Sequence, residues 1–193
     1  MSPVKGHYHH GDLRNALLAE ARSVLEETGV QGLSFRDLAR RLGVSHAAPA
    51  HHFPDKRALL QQLAASGFVT LADALAGANA TTASAQHRKV DVGVAYVAFA
   101  LANPQRYRLM FTSNLLGEDA PPELVEASGQ AYAQLLVSVG KQPDAEGPDQ
   151  APELAAWSIV HGLVMLWIDG QLGAAPAPQH IRSVVVPILA QLG

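Results

Sequence analysis

The stretch LGVSHAAPAHHFPDK, Leu42 to Lys56, gathers groups that can donate hydrogen bonds to an anion. Ser45, His46, His51 and His52 lie within it, Arg40 and Arg41 precede it, and Lys56 and Arg57 close it. No Asp or Glu occurs between Asp37 and Asp55. Ala47, Ala48 and Ala50 add no bulk, so the backbone here can approach another surface closely. Donors, cations, small side chains and an absence of acids suit a surface made of phosphates. Catalysis would need a different set: a nucleophile with its base, a carboxylate pair, or metal ligands at fixed spacing. No such set is visible. Glu118 and Asp119 have no sequence partner, no glycine-rich cradle precedes a helix, and HYHH at His7 to His10 lacks a carboxylate or thiol at set spacing. Neither a metal nor a cofactor is expected. An all-helical enzyme that binds a small molecule is the competing reading.

The pattern of apolar residues is helical almost throughout, and strand-like alternation is nearly absent. Leu13, Leu17, Ala21, Val24 and Leu25 share one face of a first helix that Gly29 should stop. Ser34 can cap a second helix, with Asp37 completing a capping box and Gly43 ending it. Ser45 can cap a third at once, with Pro49 in its first turn. That spacing is a helix-turn-helix. Asp55 opens a fourth helix that reaches toward Leu75, and Gly77 to Ala85 reads as a loop. A fifth helix carries Val90, Val94, Val97 and Leu101; Asn103–Pro104 caps a short sixth; APPEL, Ala120 to Leu124, starts another. Gly140 to Pro152 is rich in Pro, Gly and acids and should be a loop. Leu154 to Ile168 is apolar nearly all round, and Ile181, Val184, Val185, Ile188, Leu189 and Leu192 form a broad stripe. Core packing within one chain, or a self-complementary dimer interface, would absorb these last two surfaces.

Composition separates a head from a body. Residues 1–57 hold eight Lys/Arg against six Asp/Glu, hence +2; residues 58–193 hold six against eleven, hence −5. Six of the nine His lie in the head. Only the head should meet nucleic acid, and the overall charge of −3 speaks against a non-specific DNA-bending protein. The chain has no Cys, so disulfides and thiolate metal sites are excluded. The N-terminus lacks the apolar core of a signal peptide, and the longest apolar run, Ile159 to Ile168, is broken by His161 and Gly162 and is too short for a bilayer. A soluble, cytoplasmic chain with no membrane partner is expected.

LSFRDLARRLGVSHAAPAHHFPDKRALL, Leu33 to Leu60, resembles the DNA-binding signature of the TetR family of bacterial transcriptional repressors. YHHGDLR, Tyr8 to Arg14, and NPQRYRLMF, Asn103 to Phe111, also look like this family, and WSIVHG, Trp157 to Gly162, resembles the W…HG pattern of one C-terminal subgroup. The resemblance implies an all-α fold, with a three-helix DNA-binding head, 1–57, on a ligand-binding and dimerisation body, 58–193. It implies a homodimer on a palindromic operator in double-stranded DNA, released by a small apolar or aromatic effector, and no enzymatic activity. Ser34, Arg36, Ser45, His46, Ala47, Ala50, His51 and Lys56 are the DNA-facing candidates, with His46 able to read a base edge and Lys56 to hold a phosphate. Ala50 departs from the pattern, since similar sequences often carry Tyr there. Tyr96, Phe99, Tyr107, Phe111, His161 and Met165 are the effector candidates. His161 in particular is either a satisfied core residue or the polar group at a cavity wall.

Overall fold

Twenty-six residues of one helix, Lys56–Thr81 (α3), run through the whole molecule. The computed structural model describes residues 10–81, 84–112, 115–141 and 151–190. Around α3 lie His10–Gly32 (α1), Phe35–Leu42 (α2), Ala85–Ala102 (α4), Pro104–Met110 (α5), Pro122–Ser138 (α6), Ala151–Ile168 (α7) and Ile181–Leu189 (α8). Single 3-10 turns occupy Ala48–His51 and Pro178–His180, and there is no strand among the described residues. Leu192 and His7 to His9 lie outside them.

The head forms because α1, α2 and the start of α3 present leucines to one another. Leu17, Leu25, Leu38, Leu59 and Leu63 are all at most 1% exposed, with Phe53 beside them. Ser34 caps α2, its Oγ accepting from the Asp37 N–H at 3.1 Å. Gly43 ends it at φ +65°, with Val44 N–H returning to Ala39 O and Gly43 N–H to Arg40 O, the paired bonds of a Schellman turn. The Asp37 side chain does not close a capping box. Its carboxylate instead accepts from Arg40 and Arg41. Arg41 also reaches Glu20 and Glu27 of α1, both at 3.2 Å, and so ties α2 to α1.

Three other expectations change. The segment after Ser45 is no α-helix. His46 and Ala47 form a turn and Ala48–His51 one turn of 3-10 helix, because Pro49 cannot donate and is buried as the pivot whose carbonyl accepts from both His52 and Phe53. α1 bends at Gly29 (φ +69°) but resumes to Gly32. α3 continues to Thr81, through most of the stretch read as a loop, because Ala72 and Leu75 are buried against the body and Asn79 Nδ2 donates to Gln134 of α6.

α5 is the hinge between head and body. Asn103 precedes it, but its side chain does not cap it; the amide donates to Phe99 O while Oδ1 accepts from Arg106. The cap comes from α1. Both carboxylate oxygens of Glu26 accept from α5, at 3.2 Å from Gln105 N–H and 3.0 Å from Arg106 N–H. Free helix N-terminal amides attract such an anion. α3 passes close by at Gly67, where any Cβ would stand 2.6 Å from Met110 Sδ.

The Glu26 contact carries the first prediction. Replacing Glu26 with Ala leaves two α5 amides without their acceptor and should cost about 0.5–2 kcal/mol, the usual effect of losing a helix cap. Urea unfolding measures it; an unchanged midpoint would show that water serves α5 equally well.

Candidate DNA-facing head and effector cavity

All eight head candidates are exposed. Ser34 and Arg36 start α2, and Ser45, His46 and Ala47 form the turn leading into the 3-10 segment that carries Ala50 and His51. That segment is a single tight turn whose exposed Ala50 adds little bulk, as does Ala47 just before it, so the backbone there can approach a flat or grooved surface closely. Lys56 is committed in part already, its Nζ donating to Val30 O at the end of α1 at 2.7 Å. An ammonium has three donors, so two remain for a phosphate. Arg14, in the motif Tyr8 to Arg14, lies over the Phe53 ring at 5.4 Å and donates to Gln62, which braces α1 against α3 behind this face.

In the body, α3, α4, α6 and α7 enclose a cavity of about 400 Å³. Phe68, Tyr96, Phe111, Tyr132 and Trp157 line it with aromatic rings, and Leu135 closes one side. No charged side chain belongs to its described wall. Of the six effector candidates, Tyr96 and Phe111 line this cavity. Tyr107 and His161 stand directly behind them. Phe99 does not belong to it: its ring lies under the Arg106 guanidinium at 5.4 Å, facing the head. Met165, one turn beyond His161, is half-buried against the core and is not in the wall. Trp157, Phe68 and Tyr132 were missed, although Trp157 and His161 fall at i and i+4, one face of one helix.

Behind the wall, four polar groups form a directed chain. Trp157 Nε1–H donates to Tyr96 Oη at 3.1 Å. Tyr96 Oη lies 2.9 Å from Tyr107 Oη, which lies 2.6 Å from His161 Nδ1. Burial pushes the Tyr96 phenol up to about 12 and raises that of Tyr107 as well, so both keep their protons near neutral pH. Each phenol has one hydrogen and Trp can only donate. Trp157 donates to Tyr96, and both phenols reach Nδ1 as a bare acceptor, Tyr107 Oη at 2.6 Å and Tyr96 Oη at 3.3 Å. His161 is neutral and carries its hydrogen on Nε2. Protonating Nδ1 would remove the acceptor that both phenols reach and leave one phenol hydrogen without a partner in the cluster.

Residues 17–63 match the bacterial regulatory proteins of the tetR family, and residues 89–186 match the tetracyclin repressor-like C-terminal domain, half of the chain by itself. The chain belongs to the TetR family. Along its full length this TetR-family chain is similar to a solved protein of unknown function from Rhodococcus sp. RHA1, at 39% identity over 94% of this chain and 95% of that one, with a TM-score of 0.75. Fifty residues are 50% identical to the class A tetracycline repressor from transposon 1721 of Escherichia coli; they make up 26% of this chain and only 23% of that repressor. The fold also matches AibR, solved with isovaleryl coenzyme A and operator DNA, at a TM-score of 0.64 and 14% identity over 91% of this chain and 96% of that one.

The chain of phenols makes the body of this TetR-family protein sensitive to acid. Burial holds the His161 pKa below its ordinary value of about 6.5. Between the lowered folded value and about 6.5, the unfolded chain binds more protons than the folded one. Stability linked to the neutral ring is complete above that range and is lost as pH falls through the folded value. The melting temperature should therefore drop on acidification below about pH 6.5. In His161→Gln, whose amide oxygen still accepts from Tyr107 but does not titrate, that part of the drop should vanish. Equal pH profiles for the two proteins would remove His161 as its source.

Proposed function

We propose that this protein is a dimeric, cytoplasmic repressor that holds a palindromic operator through its head, 1–57, and lets go when a small apolar or aromatic effector enters its body, 58–193. The juxtaposition on α5 carries this reading. One end of the helix, Gln105 and Arg106, is held by Glu26 of the head, while Phe111, just past its other end, lines the cavity with Tyr107 packed behind it. A ligand that displaces the Phe111 ring moves a helix of two turns, and with it the carboxylate that fastens α1. A coupling of about 1–3 kcal/mol between cavity and operator would make a working switch. AibR supports the pairing of operator and small molecule on this fold. Trp157, His161 and Gly162 carry the W…HG pattern, and the first two end the hydrogen-bond chain, which is a physical reason for keeping them together.

Ser34 and Arg36 would hold the operator backbone, Ser45, His46 and Ala47 would approach base edges, and Ala50, His51 and Lys56 would lie along the phosphates. Selection of bound sites from random DNA, followed by titration of the winning palindrome, tests this. Lys56→Ala should weaken every sequence alike and lower the salt slope by about 1. His46→Ala should cost about 1–3 kcal/mol on the selected site and relax one base position per half-site. Equal losses on selected and random DNA would take His46 out of base reading.

The second copy covers the faces of α7 and α8 that carry Leu154, Leu166 and Val184. α7 is long and apolar enough to cross a membrane by length and composition, yet only 22% of that window is buried, and Leu154, Leu166 and Val184 stand exposed. Ile181 and Val185, which the apolar stripe offered to a dimer, are instead buried inside the protomer. Leu166→Glu combined with Val184→Glu should give a folded monomer that no longer binds the operator. An unchanged dimer by sedimentation would place the interface elsewhere.

A further inference from the structure

A second, larger hollow lies at the end of the body away from the head. It measures about 960 Å³ and opens among the start of α4, the end of α6, the start of α7 and the end of α8. Such a volume falls in the range of small-molecule sites. Its floor is aliphatic: Val92, Leu135 and Val160 are all nearly closed to solvent. Gly93 allows Leu189 to form the roof, since a Cβ there would sit 2.5 Å from Leu189 Cδ1. No aromatic ring lines it among the described residues, in contrast to the neighbouring cavity, and Leu135 is the wall between the two.

The rim is polar on one side. His87 and Lys89 stand exposed on the first turns of α4, and no described carboxylate pairs with Lys89. The nearest acids on the flanking elements are occupied. Glu153, 2% exposed at the start of α7, is held by Lys141 at 2.6 Å, and Asp91 by Arg182 at 2.6 Å. An aliphatic floor under a cationic rim matches a molecule with a saturated chain and one anionic head.

We propose that this hollow binds a single-chain aliphatic carboxylate, the chain on Val92, Leu135 and Val160 and the head at Lys89. It is a site separate from the aromatic cavity and does not depend on the function proposed for that cavity.

Titration calorimetry with dodecanoate below its micellar range, at fixed ionic strength, tests it, with dodecanol as the uncharged probe. One dodecanoate should bind per protomer. Lys89→Gln should weaken dodecanoate about three- to fivefold, the scale of a partly exposed ion pair, and leave dodecanol unchanged. Ala156→Trp, which fills the hollow from α7, should abolish binding of both. Gly129→Phe, which fills only the aromatic cavity, should leave both intact. Absence of dodecanoate binding would overturn the proposal. So would binding lost in Gly129→Phe but kept in Ala156→Trp, or equal weakening of acid and alcohol by Lys89→Gln. A changed sedimentation of ligand-free Ala156→Trp would show the hollow to be an interface between copies, and would overturn it too.

Discussion

α3 carries one continuous core from the head into the body. Its first turns bury Leu59 and Leu63 among the leucines of α1 and α2, and its later turns bury Phe68, Leu71 and Leu75 against α4 and α6. A helix rises about 1.5 Å per residue and does not bend without a cause, so whatever tilts one end carries the other with it. Gly67 sits between the two sets, where α5 comes too close for a side chain. Removing buried leucines from this axis would cost about 2–5 kcal/mol each, which explains why the head cannot be an independent appendage.

α5 turns that rigidity into a lever. It is short, and its two ends touch different parts of the molecule. Its amides depend on a carboxylate of α1, and Arg106 is buried between Asn103 and the Phe99 ring, its pKa lowered chiefly by burial. Its other end reaches the aromatic cavity through Tyr107 and Phe111. A short helix capped by a distant residue is a weak element by itself. Its position therefore follows what the cavity and the head allow, which is the property a switch requires.

The polar chain from Trp157 to His161 solves a different problem. Two phenols, an indole and an imidazole are buried next to a cavity, where unmet donors would cost about 1–3 kcal/mol each. Pairing with one another satisfies the indole and both phenols, so Tyr96 and Trp157 turn their rings toward the cavity. Toward a ligand that wall is mostly shape and ring surface, with the Ser128 side chain among its few polar groups.

The Ser34 and Asp55 caps and the Gly43 stop all follow from neighbours in sequence, because caps and turns act over four residues or fewer. The tertiary structure alone decided the rest. Asn103 is placed to cap α5 by sequence, yet Glu26, far off along the chain, does so, because packing of α1 on α5 puts a full charge where an amide would otherwise serve. Phe99 and Met165 carry the same residue types as cavity walls, but helix crossing angles turn them away. Arg41 reads as a solvated cation until α1 brings Glu20 and Glu27 beside it. Ile181 and Val185 suit either a core or a dimer face by sequence, and the packing of α8 on α4 buries them in the protomer. In each case local pattern set which side chains were available, and long-range packing, which no window of sequence contains, chose their partners.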